Sequence, residues 1–322
     1  MNLRLDRSLL HRFGILLVLL AVGLGLSLAT ESFLTVSNLT NVARQVSING
    51  ILAVGVTLVL LTGGVDLSLG SVVALSGVVC ATFAHPSADG HPLFLPVAAG
   101  LLTGAACGLV NGGLVTKGNV APFIVTLGMM TVARGLALIV SGGRPVADMS
   151  ERLTALAGDV GKTVLPGQTG VPIPLLFFAA VAVAAWAFLR RFRLGRHVYA
   201  VGGNEQAARA AGISVGRVKL FVYVLCGLMA GLAGVVLAAR ITTGQPNAGV
   251  AYELDAIAAV VIGGTSLSGG IGSVAGTVLG VILIGVINNG LDLMSVSSYY
   301  QQVVKGVIIV GAVWLDRRQA RA

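Results

Sequence analysis

The succession of long apolar segments constrains the fold more than any other feature of the chain. A segment of about 20 mostly apolar residues is long enough to cross a bilayer. Only 10% of the 322 residues are charged and 56% are hydrophobic, whereas soluble domains carry about 25% charged residues. The sequence therefore predicts an all-α, polytopic transmembrane helical bundle that forms a single domain over residues 1–322. The ten predicted spans are residues 13–30, 46–63, 69–85, 94–116, 121–141, 172–189, 219–239, 253–268, 271–291 and 299–316.

Lysine and arginine are distributed unevenly between the loops. Fourteen of the 21 lie at the N-terminus, in the loops after the fourth and sixth spans, or at the C-terminus. Since positive residues are retained on the cytoplasmic side, both termini are predicted to be cytoplasmic, and the even number of about ten helices agrees. The eighth span ends in "GGTSLSGG" and is alternatively a half-helix that enters and leaves on one side.

Residues suited to catalysis or metal binding are not arranged in known motifs. The sequence contains no Walker A loop, no nucleophile elbow and no His-Glu-x-x-His pattern. Cys80, Cys107 and Cys226 lie in separate apolar runs, where cysteine behaves as a small hydrophobe. The four histidines have no ligand spacing. We therefore expect a non-catalytic chain without a metal, and the net charge of +9 is interpreted as a topology signal rather than as a nucleic-acid-binding surface.

Glycines recur every four residues within several spans, which lets helix backbones approach one another closely in lipid. Their predicted role is packing. The series are Gly100, Gly104, Gly108 and Gly112; Gly272, Gly276 and Gly280; and Gly227 with Gly231.

A pair of glycines followed by an acid, in "GGVDLSLGS", interrupts the apolar pattern at residues 63–71. Non-helical backbone at membrane depth is tolerated only where it is buried in protein or lines a cavity. Asp66 therefore either lines a solute path or caps the third helix in a tight cytoplasmic turn. Thr265, Ser266 and Ser268 allow the same two interpretations.

Polar side chains in or beside the spans are the candidates for a solute path. Amides and hydroxyls both donate and accept hydrogen bonds, which suits a neutral, hydroxyl-rich solute, but they equally join helices. Arg134 and Lys305 are expected to extend to the outer interface, and Glu253 and Asp255 to lie near water, so few acids remain for an ion relay. The substrate-path candidates are Asp66, Ser68, Ser71, Asn111, Thr265, Ser268, Asn288, Asn289, Gln301 and Gln302.

The stretch "NEQAARAAG", residues 204–212, predicts a two-turn helix in a cytoplasmic loop. Asn204 is a suitable N-cap, Glu205 favours the first turn, and Gly212 is a natural helix stop. A helix this short needs a partner surface, and its alanine face would fit a shallow groove. The alternative, a helix lying on the membrane, is less favoured because the segment has no bulky apolar anchors.

Four longer stretches carry a resemblance to a known family. These are "GGVDLSLGSVVALSG", "TKGNVAPFIVTLGMMTVARGLALIVSGG", "GRHVYAVGGNEQAARAAGI" and "VIGGTSLSGGIGSVAGTVLGVILIGVINNGLDLMSVSSYYQQVVKGVIIV". Together they resemble the ribose-type sugar permeases of bacterial ABC importers, over about residues 30 to 315. The segments 87–94 and 157–172 match least well.

The resemblance implies a multi-pass, non-catalytic subunit of the bacterial inner membrane that moves a ribose-like monosaccharide by alternating access. It implies three partners: an ATPase subunit with two nucleotide-binding halves that binds ATP and Mg, a periplasmic sugar-binding protein, and a second permease copy or paralogue. No cofactor is expected in this chain. The coupling segment spans about residues 190–218. The residues implied to dock on the ATPase are Asn204, Glu205, Gln206, Ala207, Ala208, Arg209, Ala210, Ala211 and Gly212.

Two alternatives stay open at this point. One is an ABC permease for another solute, such as a branched-chain amino acid, a nucleoside or a furanose signal. The other is a stand-alone secondary transporter, which would work without an ATPase. Neighbouring genes for an ATPase and a secreted binding protein would argue against the second alternative.

The predicted topology can be tested by cysteine labelling at Asn204. We expect a membrane-impermeant maleimide to modify Asn204→Cys only when it is supplied from the cytoplasmic side, because the loop after the sixth span carries many positive residues. Labelling from the outside would contradict the predicted orientation.

Overall fold

The computed structural model describes residues 7–84, 92–160, 170–297, 299–307 and 310–311, with side chains from residue 14 onward. As predicted, the chain is a helical bundle. Residues 299–307 are also helical. The other helices are α1 Arg7–Ala29, α2 Val36–Leu61, α3 Leu69–Ala84, α4 Phe94–Thr116, α5 Pro122–Ser141, α6 Glu151–Thr154, α7 Ile173–Arg191, α8 Arg193–Gly203, α9 Glu205–Ala210, α10 Val215–Ile241, α11 Tyr252–Ile262 and α12 Val274–Leu293.

Six helices among the described residues are long and apolar enough to cross a membrane: α2, α4, α5, α7, α10 and α12. Helix α3 and residues 14–29 of α1 are apolar but shorter. The molecule is therefore a multi-pass helical membrane protein. The number of spans and the side on which the termini lie stay predictions.

Helix α2 occupies the centre of the bundle. Every residue from Val46 to Leu61 is buried, and α2 packs against α7, α10, α11 and α12. A helix that is apolar on all sides is stable only when it is surrounded. The outer helices show the opposite pattern, since large apolar side chains such as Leu102, Ile139 and Val183 are exposed, as expected of a lipid-facing surface.

Most predicted spans agree with the helices to within a few residues, but two do not. Helix α2 begins at Val36 rather than residue 46, because Thr35 caps it by accepting a hydrogen bond from Asn38 N. The predicted span 253–268 is wrong as a full crossing. Helix α11 has 11 residues, about 16 Å of helix, and ends before Gly264, whose φ of +85° turns the chain. The half-helix alternative fits α11.

Predicted spans at the chain ends lie partly outside the described residues. The tenth predicted span, 299–316, is helical at 299–307 and at 310–311. Residues 308–309 and 312–316 of that span, most of the segment 87–94, and residues 161–169 of the segment 157–172 lie outside the described residues.

A short antiparallel strand pair that the sequence analysis did not predict follows α6. Strands β1 Asp159–Val160 and β2 Val171–Pro172 pair within this loop. Arg44 of α2 anchors the loop through an ion pair with Asp159 at 2.6 Å. The Asp159 side chain is only 2% exposed, so the loop is held against the bundle rather than extended from it.

The glycine series of α4 packs directly on the glycines of α10, as the sequence predicts. A Cβ placed on Gly104 would overlap Gly227 O and lie 2.7 Å from Gly231 Cα. A Cβ on Gly231 would lie 2.8 Å from Gly100 O. Gly113 of the same helix faces open space. The two backbones therefore touch along one face of α4 only.

We expect Gly104→Ala to destabilise the protein by about 1–3 kcal/mol, because an added methyl group overpacks a backbone contact that has no side chain to move. Thermal unfolding of the purified protein in detergent measures this. Gly113→Ala is the matched control, since it adds the same methyl group to the same helix where space is open; it should be neutral or slightly stabilising. Equal melting temperatures for the two variants would contradict the packing role of Gly104.

Candidate functional site

The short helix α9 forms where the sequence predicts it. The side chain of Asn204, in extended backbone, accepts a hydrogen bond from Ala207 N at 2.9 Å. At the other end, Gly212 N donates to Arg209 O and Ile213 N donates to Ala208 O, each at 3.0 Å. This is the Schellman pattern, which requires left-handed backbone, and Gly212 has φ +82°. Both ends of α9 are therefore closed by its own sequence.

The alanines of α9 do not form one common face. Ala208 is only 4% exposed and belongs to the core of the permease itself. Its neighbours Gln206, Ala207, Ala210 and Ala211 are exposed. The predicted docking face therefore loses Ala208, because that side chain holds α9 against the bundle. A charge at position 208 would test packing rather than docking.

Ion pairs fix the helix to its neighbour. Glu205 accepts from Lys219 Nζ of α10 at 2.6 Å and from Arg209 Nη2 at 2.8 Å. The hydrogen bond from Lys219, and then that from Arg209, lower the pKa of Glu205 from its ordinary value, so this carboxylate stays ionised at neutral pH. The spacing of Glu205 and Arg209 is visible in the sequence as an i, i+4 pair. The contact of Glu205 with Lys219 cannot be predicted from the sequence, because it depends on how α10 packs beside α9.

Helix α8 precedes α9 within the predicted coupling segment, and only Asn204 separates the two. Gly195, Val198 and Val201 of α8 are buried, so its apolar side packs on the bundle. These residues lie in the predicted coupling segment, but the sequence pattern there did not predict a separate helix. Helix α8 has only 11 residues, so it does not form an apolar run of span length that would mark it in the sequence.

A buried polar cluster occupies the break between α2 and α3. Asp66, 2% exposed, accepts hydrogen bonds from Ser68 N at 2.9 Å and Ser68 Oγ at 2.6 Å. Asn111 Nδ2 of α4 donates to Ser68 Oγ at 3.0 Å. The structure thus brings three predicted candidates, Asp66, Ser68 and Asn111, into one site. We call them the Asp66 cluster.

The structure modifies the interpretation of Asp66 as the cap of the third helix. Ser68 is the N-cap residue of α3, because its carbonyl accepts the first hydrogen bond of the helix, from Val72 N at 2.9 Å. Asp66 therefore does not cap the helix itself; it holds Ser68 in place through the two hydrogen bonds that it accepts from that residue. Tyr223 of α10 donates to Val65 O at 3.1 Å, and its side chain is fully buried. Tyr223 was missed because nothing in an apolar run indicates which polar group finds a backbone partner.

The remaining candidates near this break are divided by burial. Ser71 lies buried in α3, and Thr265 is completely buried in the loop after α11. Ser268 of the same loop is exposed. Among the described residues, Thr265 Oγ1 and Asn111 Oδ1 are buried without a hydrogen-bond partner, so two acceptors near the breaks are unsatisfied.

The other amide candidates lie towards the opposite end of the bundle. Asn289 is 15 residues into α12, roughly 22 Å along the helix from its start. Asn38 of α2 and Asn289 exchange two hydrogen bonds, at 2.9 and 2.8 Å. Asn289 therefore joins two helices. Asn288 is 3% exposed, and its Oδ1 has no partner among the described residues.

Gln301 and Gln302 also lie apart from the Asp66 cluster. Gln301 donates to Asp292 Oδ1 at 2.8 Å and to Val296 O at 2.9 Å, which closes the turn after α12. Gln302 is exposed.

The charged residues deepest in the helices have partners inside the protein. Arg134 donates to Pro246 O and Ala248 O in the loop after α10. Lys305 pairs with Asp255 at 2.8 Å, and Asp255 is 6% exposed. The expectation that Asp255 lies near water is therefore wrong, because α11 turns it inward. Among the described residues, no group of three His, Cys, Asp or Glu side chains could hold a metal ion.

The comparisons with known proteins agree with the resemblance carried by the sequence. Residues 38–313 match the family described as branched-chain amino acid transport system / permease component. The chain belongs to this family. No solved structure matches it.

This permease is 47% identical over 304 residues to ribose import permease protein RbsC of Escherichia coli (strain K12), covering 94% of this chain and 92% of that protein. It is 45% identical over 315 residues to ribose import permease protein RbsC of Bacillus subtilis (strain 168), covering 97% and 95%. It is 40% identical over 292 residues to D-allose transport system permease protein AlsC of Escherichia coli (strain K12), covering 90% and 86%.

The stability of variants distinguishes the buried substrate-path candidate Asp66 from the exposed candidate Ser268. We expect Asp66→Ala to lower the free energy of unfolding by about 1–3 kcal/mol, because Ser68 N and Oγ lose their acceptor in a buried site. Asp66→Asn keeps an acceptor oxygen and should lose less. Ser268→Ala, at an exposed position, should stay within about 0.5 kcal/mol of the native protein. Thermal unfolding in detergent measures all three; equal stability of the two Asp66 variants and the native protein would contradict the cluster.

Proposed function

We propose that this chain is the transmembrane permease subunit of an ATP-binding-cassette importer that moves a ribose-like monosaccharide across the bacterial inner membrane. The observation that carries the proposal is identity of 45–47% over 94–97% of the chain to permeases whose names specify ribose. Relatives at 37–40% identity are named for D-allose and L-arabinose. All of these solutes are monosaccharides, although the family description mentions branched-chain amino acids.

Helix α9 is the proposed contact with the ATPase subunit. It presents a small, uncharged surface of Ala207, Ala210 and Ala211, which suits a shallow cleft. The cap at Asn204, the Schellman turn at Gly212 and the ion pair with Lys219 make the helix rigid relative to α10. A rigid contact transmits a displacement of the partner instead of absorbing it. ATP and Mg bind in the ATPase subunit, which performs the hydrolysis.

Alternating access is supported by the two separate groups of polar side chains. The Asp66 cluster lies at the end of the bundle where α2 ends and α9 lies, and Asn288 with Gln301 lies towards the other end. We propose that movement of α9 opens and closes the break beside Asp66, while the sugar arrives from the far end. Neutral amides and hydroxyls in both groups can exchange hydrogen bonds with sugar hydroxyls.

The proposed assembly contains two permeases, as a homodimer or with a paralogue, together with the ATPase subunit and a periplasmic sugar-binding protein. This chain holds no cofactor and no catalytic residue of its own in the proposal, and nucleic acid is not a partner. The cytoplasmic side carries α9 and both termini.

The docking role of α9 is tested by adding a charge to its exposed face. We expect Ala210→Glu to reduce binding of the purified ATPase subunit, and ATP-driven D-ribose uptake into proteoliposomes, by about tenfold or more, since an unpaired charge desolvated at a close-packed interface costs several kcal/mol. Ala210→Ser is the matched control at the same position and should behave like the native protein. Full binding and uptake with Ala210→Glu would exclude this face as the docking surface.

A further inference from the structure

Three backbone segments meet at the end of α8 without any side chain between them. They are the end of α2 at Leu61, the end of α8 at Gly202, and the loop between α11 and α12 at Gly269 and Gly270. We call these four residues the glycine junction. Gly270 N donates to Leu61 O at 3.0 Å, which satisfies one of the carbonyls that a helix end leaves without an intrahelical partner.

The contacts within the glycine junction leave no room for a methyl group. A Cβ on Gly202 would overlap Leu61 O and lie 2.6 Å from Gly270 N. A Cβ on Gly269 would lie 2.9 Å from Gly202 O, and one on Gly270 would lie 2.7 Å from Gly203 Cα. Backbone in direct contact has no flexible side chain that could absorb a displacement, so the three segments must move together or separate.

A side-chain hydrogen bond ties α8 to the same loop. Tyr199, one turn before Gly202, donates to Gly272 O at 3.1 Å. Val198 and Val201 are almost completely buried beside it. Helix α8 is therefore attached to the loop by two contacts, one through backbone and one through the tyrosine hydroxyl.

The junction lies between α9 and both breaks in the helical bundle. On one side, α8 continues into α9 after the single residue Asn204. On the other side, Leu61 leads into the non-helical segment that contains Asp66, and Gly270 lies in the loop that contains Thr265. A displacement of α9 can reach both breaks through this one set of contacts.

We propose that the glycine junction transmits movement of α9 to the two breaks, and that Gly202 and Tyr199 are the positioning residues that keep ATP hydrolysis coupled to transport. This inference rests on the proposed function of α9 and adds to it the route by which the signal enters the bundle. Both residues belong to α8 and lie outside the exposed face of α9, so changing them separates transmission from docking.

The experiment compares Gly202→Ala, Gly203→Ala and Tyr199→Phe in proteoliposomes with the ATPase subunit and the binding protein. The readout is the amount of D-ribose transported per ATP hydrolysed. Binding of the ATPase subunit and thermal stability are measured for each variant as well. We expect Gly202→Ala to lower transport per ATP by about tenfold while the ATPase subunit stays bound, a loss within the usual range of coupling between sites. Tyr199→Phe removes one hydrogen bond and should lower the ratio about fivefold.

Gly203→Ala is the matched control. It adds the same methyl group to the next residue of the same helix, where a Cβ would meet nothing within 4 Å, and it should keep the native ratio. A native ratio in Gly202→Ala and Tyr199→Phe, with the ATPase subunit bound, would overturn the inference, as would an equal loss in all three variants.

The remaining outcomes are also decisive. If Gly202→Ala fails to fold, Tyr199→Phe decides alone, since it deletes a single hydroxyl group. Failure of the proposed function would look different, because the native permease would then not bind the ATPase subunit, or Ala210→Glu would bind it normally.

Discussion

The whole arrangement depends on satisfying backbone hydrogen bonds where no water is available. A helix that ends inside an apolar bundle leaves carbonyl and amide groups that must find partners in the protein. In this chain, Gly270 N donates a hydrogen bond to Leu61 O, the Tyr223 hydroxyl donates to Val65 O, and Ser68 N donates to the Asp66 carboxylate. The breaks after α2 and α11 are possible because these few contacts complete them.

The same requirement explains why the two charged side chains deepest in the helices, Arg134 and Lys305, have partners inside the protein. Lys305 with Asp255 and Arg134 with the carbonyls of the α10–α11 loop tie the half-length helix α11 and its preceding loop to neighbouring helices. Leaving one partner of such a buried pair alone would cost several kcal/mol. Asn38 and Asn289 also join two helices, α2 and α12, through hydrogen bonds between uncharged side chains. In contrast, Asn111 Oδ1 and Asn288 Oδ1 stay unsatisfied among the described residues.

The sequence predicted the local features well, because they depend on neighbouring residues. Asn204 and Gly212 correctly predicted where α9 begins and ends. The four-residue spacing of Gly100 and Gly104 predicted that two helices pack closely. Two expectations that the structure corrects, an outward-facing Ala208 and a water-exposed Asp255, concern the direction in which a side chain faces. That direction is set by elements far away in the chain, and Glu205 with Lys219 was missed for the same reason.

By itself the sequence determined that this protein is a helical membrane bundle with a capped short helix between two apolar segments, since composition, spacing and caps are properties of short stretches. Its resemblance also gave the family. Only the tertiary structure decided that Ala208 faces inward, that Asp66, Ser68 and Asn111 meet, and that Gly202 touches Leu61 and Gly270. Asn111 lies 43 positions from Ser68, and Gly202 lies far along the chain from both Leu61 and Gly270. No local pattern encodes contacts between residues this far apart, because they arise from how the helices pack around α2.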